Sequence, residues 1–171
     1  MGTREAYKLQ PQYRRTIPVA RAQQPDEKPP MATYTGGCLC GQIRYRITSE
    51  PGASRICWCK DCQRISANGT VNVIFPTASI EISGTTGQHR KTADSGNQVT
   101  RRFCPACGTH LFSDTTGRPG STVVRTGTLD DPSAIKPTAI IWSGSAPSWA
   151  CLDRSLELFD GAPAPAAPAK T

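Results

Sequence analysis

The sequence predicts a mainly β fold of short antiparallel strands with little helix. Three observations carry that expectation. Aromatic residues make up 6% of the 171-residue chain while Gly and Pro number 15 each, a mix that favours short strands joined by turns. Short alternating or β-branched runs recur from residue 42 to residue 159. Seven of the eight cysteines fall in three tight clusters, Cys38-Leu39-Cys40, Cys57-Trp58-Cys59-Lys60-Asp61-Cys62 and Cys104-Pro105-Ala106-Cys107, which can aim several sulfurs at one point and so cross-link a small β domain through metal.

In chain order, residues 1–30 are polar, carry Gln-Gln-Pro and Lys-Pro-Pro, and show no sustained period, so they read as a mobile extension. Met31, just before the first patterned segment, is expected as the natural start. Gln42-Ile43-Arg44-Tyr45-Arg46-Ile47 alternates polar and apolar, the mark of a strand with one wet face. Arg55-Ile56-Cys57 leads into the central cluster, and Lys60 to Ser66 has room for one or two helical turns. Thr70-Val71-Asn72-Val73-Ile74-Phe75 is a β-rich run stopped by Pro76. Further strands are expected at Ile80–Ile82, Val99–Phe103, Thr122–Arg125, Ala139–Trp142 and Leu156–Phe159. The patterned domain spans 31–161, and 162–171 is an Ala/Pro tail without a core-forming pattern.

Charge and compartment narrow the function classes. The formal net charge is +7, but residues 1–30 hold six basic residues against three acidic, Lys170 adds one more, and 31–169 hold 13 basic against 10 acidic. Seven thiolates on two zinc ions would bring the folded part near neutral, so a nucleic-acid surface is not expected. No apolar stretch is long enough to cross a bilayer, and the N-terminus lacks the apolar region of a secretory signal. A cytoplasmic setting follows as the expectation, and there CxC and CxxC clusters read as metal sites ahead of disulfides or redox dithiols.

Seven thiols divide into four plus three. Gly36-Gly37 and Gly41 flank the first cluster, while Gly108 follows the third and Pro105 stiffens its turn. These two clusters pair as a closed four-thiolate structural site on Cys38, Cys40, Cys104 and Cys107. Structural zinc contributes on the order of 10 kcal/mol of apparent binding free energy coupled to folding. The central Cys57, Cys59 and Cys62 have no flanking glycine and are followed by polar residues. Three thiolates with an open fourth position describe a catalytic zinc. The competing reading closes that position with Cys151, His89 or His110.

Taken together, Gly-Gly-Cys-Leu-Cys-Gly, Cys-Trp-Cys-Lys-Asp-Cys-Gln-Arg and Phe-Cys-Pro-Ala-Cys-Gly-Thr resemble the glutathione-dependent formaldehyde-activating enzyme family, which also includes centromere protein V. The likeness extends to Thr92-Ala93-Asp94-Ser95-Gly96, to Gly127-Thr128-Leu129-Asp130-Asp131-Pro132 and to Ile141-Trp142. It covers roughly Tyr34 to Phe159. The resemblance implies an Mss4-like zinc fold, zinc on Cys38, Cys40, Cys104 and Cys107, and a second zinc on Cys57, Cys59 and Cys62. It implies two Zn2+ per chain, glutathione as ligand and formaldehyde as its electrophile. Family members often carry histidine between the first two cysteines of the central cluster; this chain has Trp58, which alters the expected wall of the site.

The expected activity is therefore that of a carbon–sulfur lyase, S-(hydroxymethyl)glutathione synthase-like, acting on glutathione or a similar small thiol and a small aldehyde. A non-catalytic zinc module that binds or carries glutathione, or a macromolecular partner, is the alternative. Among substrate contacts, Arg64 is a candidate to meet a carboxylate with its planar fork, with a surface arginine as the competing reading. Asp94, Ser95 and Gly96 offer a polar loop to the ligand backbone, with an ordinary turn as the competing reading. Trp58, Trp142 and Trp149 are candidates for the pocket wall or for core packing.

Overall fold

The computed structural model describes residues 32–163. The expected extension over 1–30, the start at Met31 and the end of the Ala/Pro tail (164–171) lie outside the described residues. In chain order the elements are β1 (Tyr34–Gly37), β2 (Arg44–Ile47), β3 (Ser54–Cys57), α1 (Lys60–Ser66), β4 (Thr70–Pro76), β5 (Ile80–Ser83), β6 (Gly87–Thr92), β7 (Gln98–Phe103), β8 (His110–Thr115), β9 (Ser121–Arg125), β10 (Ala139–Ile141) and β11 (Glu157–Phe159), with four short 3-10 turns between them. The fold is mainly β, as expected.

Two sheets form. The smaller is antiparallel in the order β1-β2-β5, and the larger runs β11-β10-β3-β4-β9-β8-β7-β6. The larger sheet is antiparallel except at β10, which lies parallel to both β3 and β11. That departs from the expectation of antiparallel strands alone. The chain reaches β10 from β3 only after β4 and β6 to β9 are laid down, so a long connection lets it enter in the parallel sense.

Alternation assigns the two faces of the larger sheet. Val73 and Phe75 of β4 and Val124 of β9 are fully buried and meet Tyr45 and Ile47 of β2 in one core, with Ile43, Leu111 and Phe112. Tyr45 packs edge-on to Phe112 at 5.1 Å, and Tyr34 lies 5.4 Å from Phe75. Each large apolar side chain removed from water here contributes about 1.5–3 kcal/mol. The opposite face of the same strands carries Asn72, Ile74, Val123 and Arg125, and these line a cavity. One sheet thus separates the core from a cavity of mixed character, because a strand presents successive side chains to opposite sides.

The remaining elements have local causes. The thiol of Cys59 caps α1 by accepting from the Cys62 N–H at 3.5 Å, and the helix stops at Ala67 in a left-handed conformation. Strand β6, Gly-Gln-His-Arg-Lys-Thr, is almost wholly exposed and closes one edge of the sheet with charge, which discourages pairing with another chain. Gly36 sits where β1 crosses the loop after β9. A Cβ there would fall 2.3 Å from both the Thr128 carbonyl oxygen and the Tyr45 hydroxyl.

Candidate metal centres

The first and third cysteine clusters occupy tight turns of the same kind. In the first, the Cys38 N–H donates to the Ile43 carbonyl (3.0 Å) and the Gly41 N–H to the Cys38 carbonyl (3.1 Å). In the third, the Cys104 N–H donates to the Thr109 carbonyl and the Gly108 N–H to the Cys104 carbonyl, both at 2.9 Å. Gly41 (φ 77°) and Gly108 (φ 73°) take the left-handed conformation each turn needs. The Leu39 N–H donates to the Thr109 hydroxyl at 3.2 Å and so joins the two turns.

Their four sulfurs lie within 4.8 Å of one another. Cys38 and Cys40 approach to 3.5 Å, Cys40 and Cys104 to 3.7 Å. Sulfurs about 2.3 Å from a central zinc stand about 3.8 Å apart at the corners of a tetrahedron, so this spacing fits the ion. Groups around the cluster also suit thiolates. The Ile43 N–H donates to the Cys38 sulfur at 3.2 Å, and the Thr109 hydroxyl lies 3.2 Å from the Cys107 sulfur and lowers that thiol to about 5.

The second group is Cys57, Cys59 and Cys62, also within 4.8 Å. It spans the end of β3 and the first turn of α1, so a strand, a helix cap and a helix each supply one sulfur. Among the described residues no further Cys, His, Asp or Glu joins it. Cys151 is exposed, and His89 stands on exposed β6. All eight cysteines are free thiols. The three central sulfurs share charge unevenly. Cys62 is held far down by the Cys57 and Cys59 thiols and by the Arg125 charge, while Cys57 is pushed up by Cys59, by Cys62 and by burial. An all-sulfur donor set suits zinc or another soft ion.

The cavity opens beside this triad. It encloses about 280 Å³, and Cys57, Cys62, Trp142 and four arginines (Arg55, Arg101, Arg118, Arg125) form part of its wall. Arg125, only 7% exposed, donates to the Asn72 carbonyl oxygen, to the Ser113 hydroxyl at 3.2 Å and to the Cys62 sulfur at 3.9 Å. Arg101 is paired to Asp61 at 2.8 Å, and Lys91 takes the other oxygen of that carboxylate at 2.9 Å. Asp61 stays below the usual carboxylate range: burial opposes this, but Lys91 and Arg101 prevail. Trp142 adopts φ 60°, ψ 34°, a left-handed conformation that costs a tryptophan about 1–2 kcal/mol and orients the residue at the cavity rim.

The other expected site residues fall elsewhere. Arg64 is exposed on α1 and is not part of the cavity wall. Asp94, Ser95 and Gly96 form the exposed tip of the β6–β7 hairpin, where the Gly96 N–H donates to the Ala93 carbonyl at 2.8 Å and Gly96 has φ 80°. Trp58 is buried outside the cavity wall, with Gly69 against its indole and Trp149 edge-on at 6.3 Å; Trp149 itself is 66% exposed. Arg55, Arg118 and Arg125 escaped the reading of the sequence. Only the alternation of β9 hinted at Arg125, by placing it on the face of Val123.

Fold and sulfur geometry together define a β protein with two cysteine clusters fit to hold metal ions. The model of the glutathione-dependent formaldehyde-activating enzyme family matches residues 33–145. The chain belongs to that family. Among solved structures, a Rhodobacter sphaeroides protein determined as a structural genomics target is similar at 17% identity, over 60% of this chain and 91% of its own, with a TM-score of 0.47. No curated protein sequence matches the chain.

Proposed function

We propose that the chain joins glutathione, or a closely related small thiol, to formaldehyde or another small electrophile, as a zinc-dependent carbon–sulfur lyase of the S-(hydroxymethyl)glutathione synthase kind. Family membership supports glutathione-dependent formaldehyde activation in general. The observation that carries the finer reading is the three-cysteine group whose Cys57 and Cys62 stand in the wall of a cavity. Cys38, Cys40, Cys104 and Cys107 would hold the structural zinc, and Cys57, Cys59 and Cys62 the second. The uncombined thiols favour work in a reducing cytoplasm.

In the reaction the thiol sulfur bonds to the carbonyl carbon, the C=O π bond breaks, and the thiol proton ends on the new hydroxyl. A zinc ion on the three central thiolates would supply a Lewis-acid position and favour the thiolate form of an incoming sulfur. The protein's own groups do the rest. Arg125, fixed by Asn72 and Ser113, steadies the charge on Cys62. Ser113 and Thr115 are among the residues that line the cavity, and their hydroxyls would offer donors to a carbonyl oxygen bound there. Confinement of thiol and aldehyde in about 280 Å³ replaces chance encounter by proximity.

Carbon-13 exchange NMR on mixtures of glutathione and labelled formaldehyde tests the activity. The zinc-loaded protein should speed exchange into the S-hydroxymethyl adduct, and Cys59→Ser should not. An exchange rate unaltered by the zinc-loaded protein would overturn the reading.

A further inference from the structure

We infer that Arg55 and Arg118 form an anion subsite in the cavity beside Cys57 and Cys62, which selects thiols that carry a carboxylate over neutral ones. The inference rests on the proposed thiol chemistry for its ligand class, but its charge argument stands on the arginines alone.

The cavity is rich in positive charge that nothing on its wall answers. Of its four arginines, Arg101 is already committed to Asp61. Asp114 is the one acidic residue among the lining positions, and it is spent: Arg102 holds its oxygens at 3.2 and 3.0 Å, and the Thr122 hydroxyl donates to it at 2.6 Å. Asp114 also pairs across the ladder with Thr122, itself opposite Phe75, in a row that belongs to the core face. Arg125 gives its donors to Asn72, Ser113 and Cys62, yet its Nε is buried without a partner.

That leaves Arg55 on β3 and Arg118 in the β8–β9 loop. Neither has an ion pair among the described residues, and the Arg118 Nε is buried without a partner. Burial, and then the charge of Arg55, lower the basicity of Arg118, as expected of two cations sharing a partly desolvated space. Both side chains are half-buried, so an anion that joins them would offset the cost of their partial desolvation. A carboxylate satisfies planar guanidinium donors well, and these lie in the same cavity as the sulfurs. Register sets the layout. Arg55, Asn72 and Arg125 stand side by side on β3, β4 and β9, so the positive row runs across the sheet next to the Cys57 end of β3.

Calorimetry on the zinc-loaded full chain tests the subsite with two matched pairs of probes: glutathione against its dimethyl ester, and N-acetylcysteine against N-acetylcysteine amide. Each acid should bind at least about ten-fold more tightly than its ester or amide, and the N-acetylcysteine pair, whose amide is uncharged, sets the preference free of added repulsion. Arg118→Gln and Arg55→Gln should each erase most of that preference, and Arg118→Lys should restore part of it. Zinc content and circular dichroism of the variants should match the parent. Added salt should weaken N-acetylcysteine more than its uncharged amide. Acids and neutral probes binding alike, folded glutamine variants that keep the preference, or no binding by any probe would each overturn the subsite. If glutathione fails to bind while N-acetylcysteine keeps an arginine-dependent advantage, the subsite stands and the glutathione reading falls. If glutathione binds but no arginine affects it, that reading stands and the subsite falls.

Discussion

Trp58 and Arg64 both lie within two residues of a central cysteine, yet neither reaches the cavity. A strand turning into a helix sends neighbouring side chains in different directions, so closeness in sequence is a poor guide to closeness in space. The residues that line the cavity with the sulfurs come from segments far apart in sequence, and only pairing register brings Arg55, Asn72 and Arg125 into one row. Glycine positions are equally specific. Gly36→Ala would press a methyl group into the Thr128 carbonyl, a backbone atom with little freedom to retreat. It should lower stability by about 1–3 kcal/mol, read as a reduced urea midpoint; an unchanged midpoint would contradict the close approach.

At the scale of elements, the runs with clear alternation or β-branched character appeared where expected: Thr70 to Phe75 became β4, Thr122 to Arg125 became β9, and Lys60–Ser66 is the one helix among the described residues. Three strands were missed for physical reasons. Strand β1 is half glycine, β6 has no apolar face, and the buried Leu111 and Phe112 of β8 are adjacent instead of alternating, close to the irregular pairing at Arg102 and Phe103. The four-sulfur grouping was legible because two glycine-framed turns advertise themselves; the arginine cavity was not, because strand order is silent in a single sequence. One surface contact has a measurable signature. Asp130, in the loop after β9, pairs with Arg44 of β2 at 2.5 Å and accepts from Thr35 at 2.6 Å, and both hold its carboxyl below the usual range. A depressed native value adds stability that is complete above the unfolded value of about 4 and is lost as pH falls through the native one. Asp130→Asn should therefore cost a small amount of stability at neutral pH, and its curve should converge with the parent's as pH drops below about 4. A constant gap down to strongly acid pH would exclude the ion pair as its source.

Across the whole molecule, one sheet does two jobs. Its inner face packs an apolar core under the small sheet, and its outer face holds an arginine-bearing cavity with Cys57 and Cys62 in its wall. The near-neutral charge balance of 31–169 concealed this, because a local excess of arginine is offset by acidic groups elsewhere. The two sulfur clusters play different mechanical roles in the same frame. A metal ion on the four-sulfur group would tie the β1–β2 turn to the β7–β8 turn, 64 residues apart between Cys40 and Cys104, and so close a long loop. The three-sulfur group sits within six residues of chain already held by β3, α1 and the Trp58 N–H bond to Ile141. The measurement that bears most directly on this unequal division is the zinc content of Cys59→Ser beside that of Cys104→Ser, each with its circular dichroism. The parent should carry two zinc ions per chain; Cys59→Ser should keep one and retain the β spectrum, whereas Cys104→Ser should lose the fold. Equal metal loss with equal structural damage in both variants, or a parent that never carries more than one ion, would contradict the account.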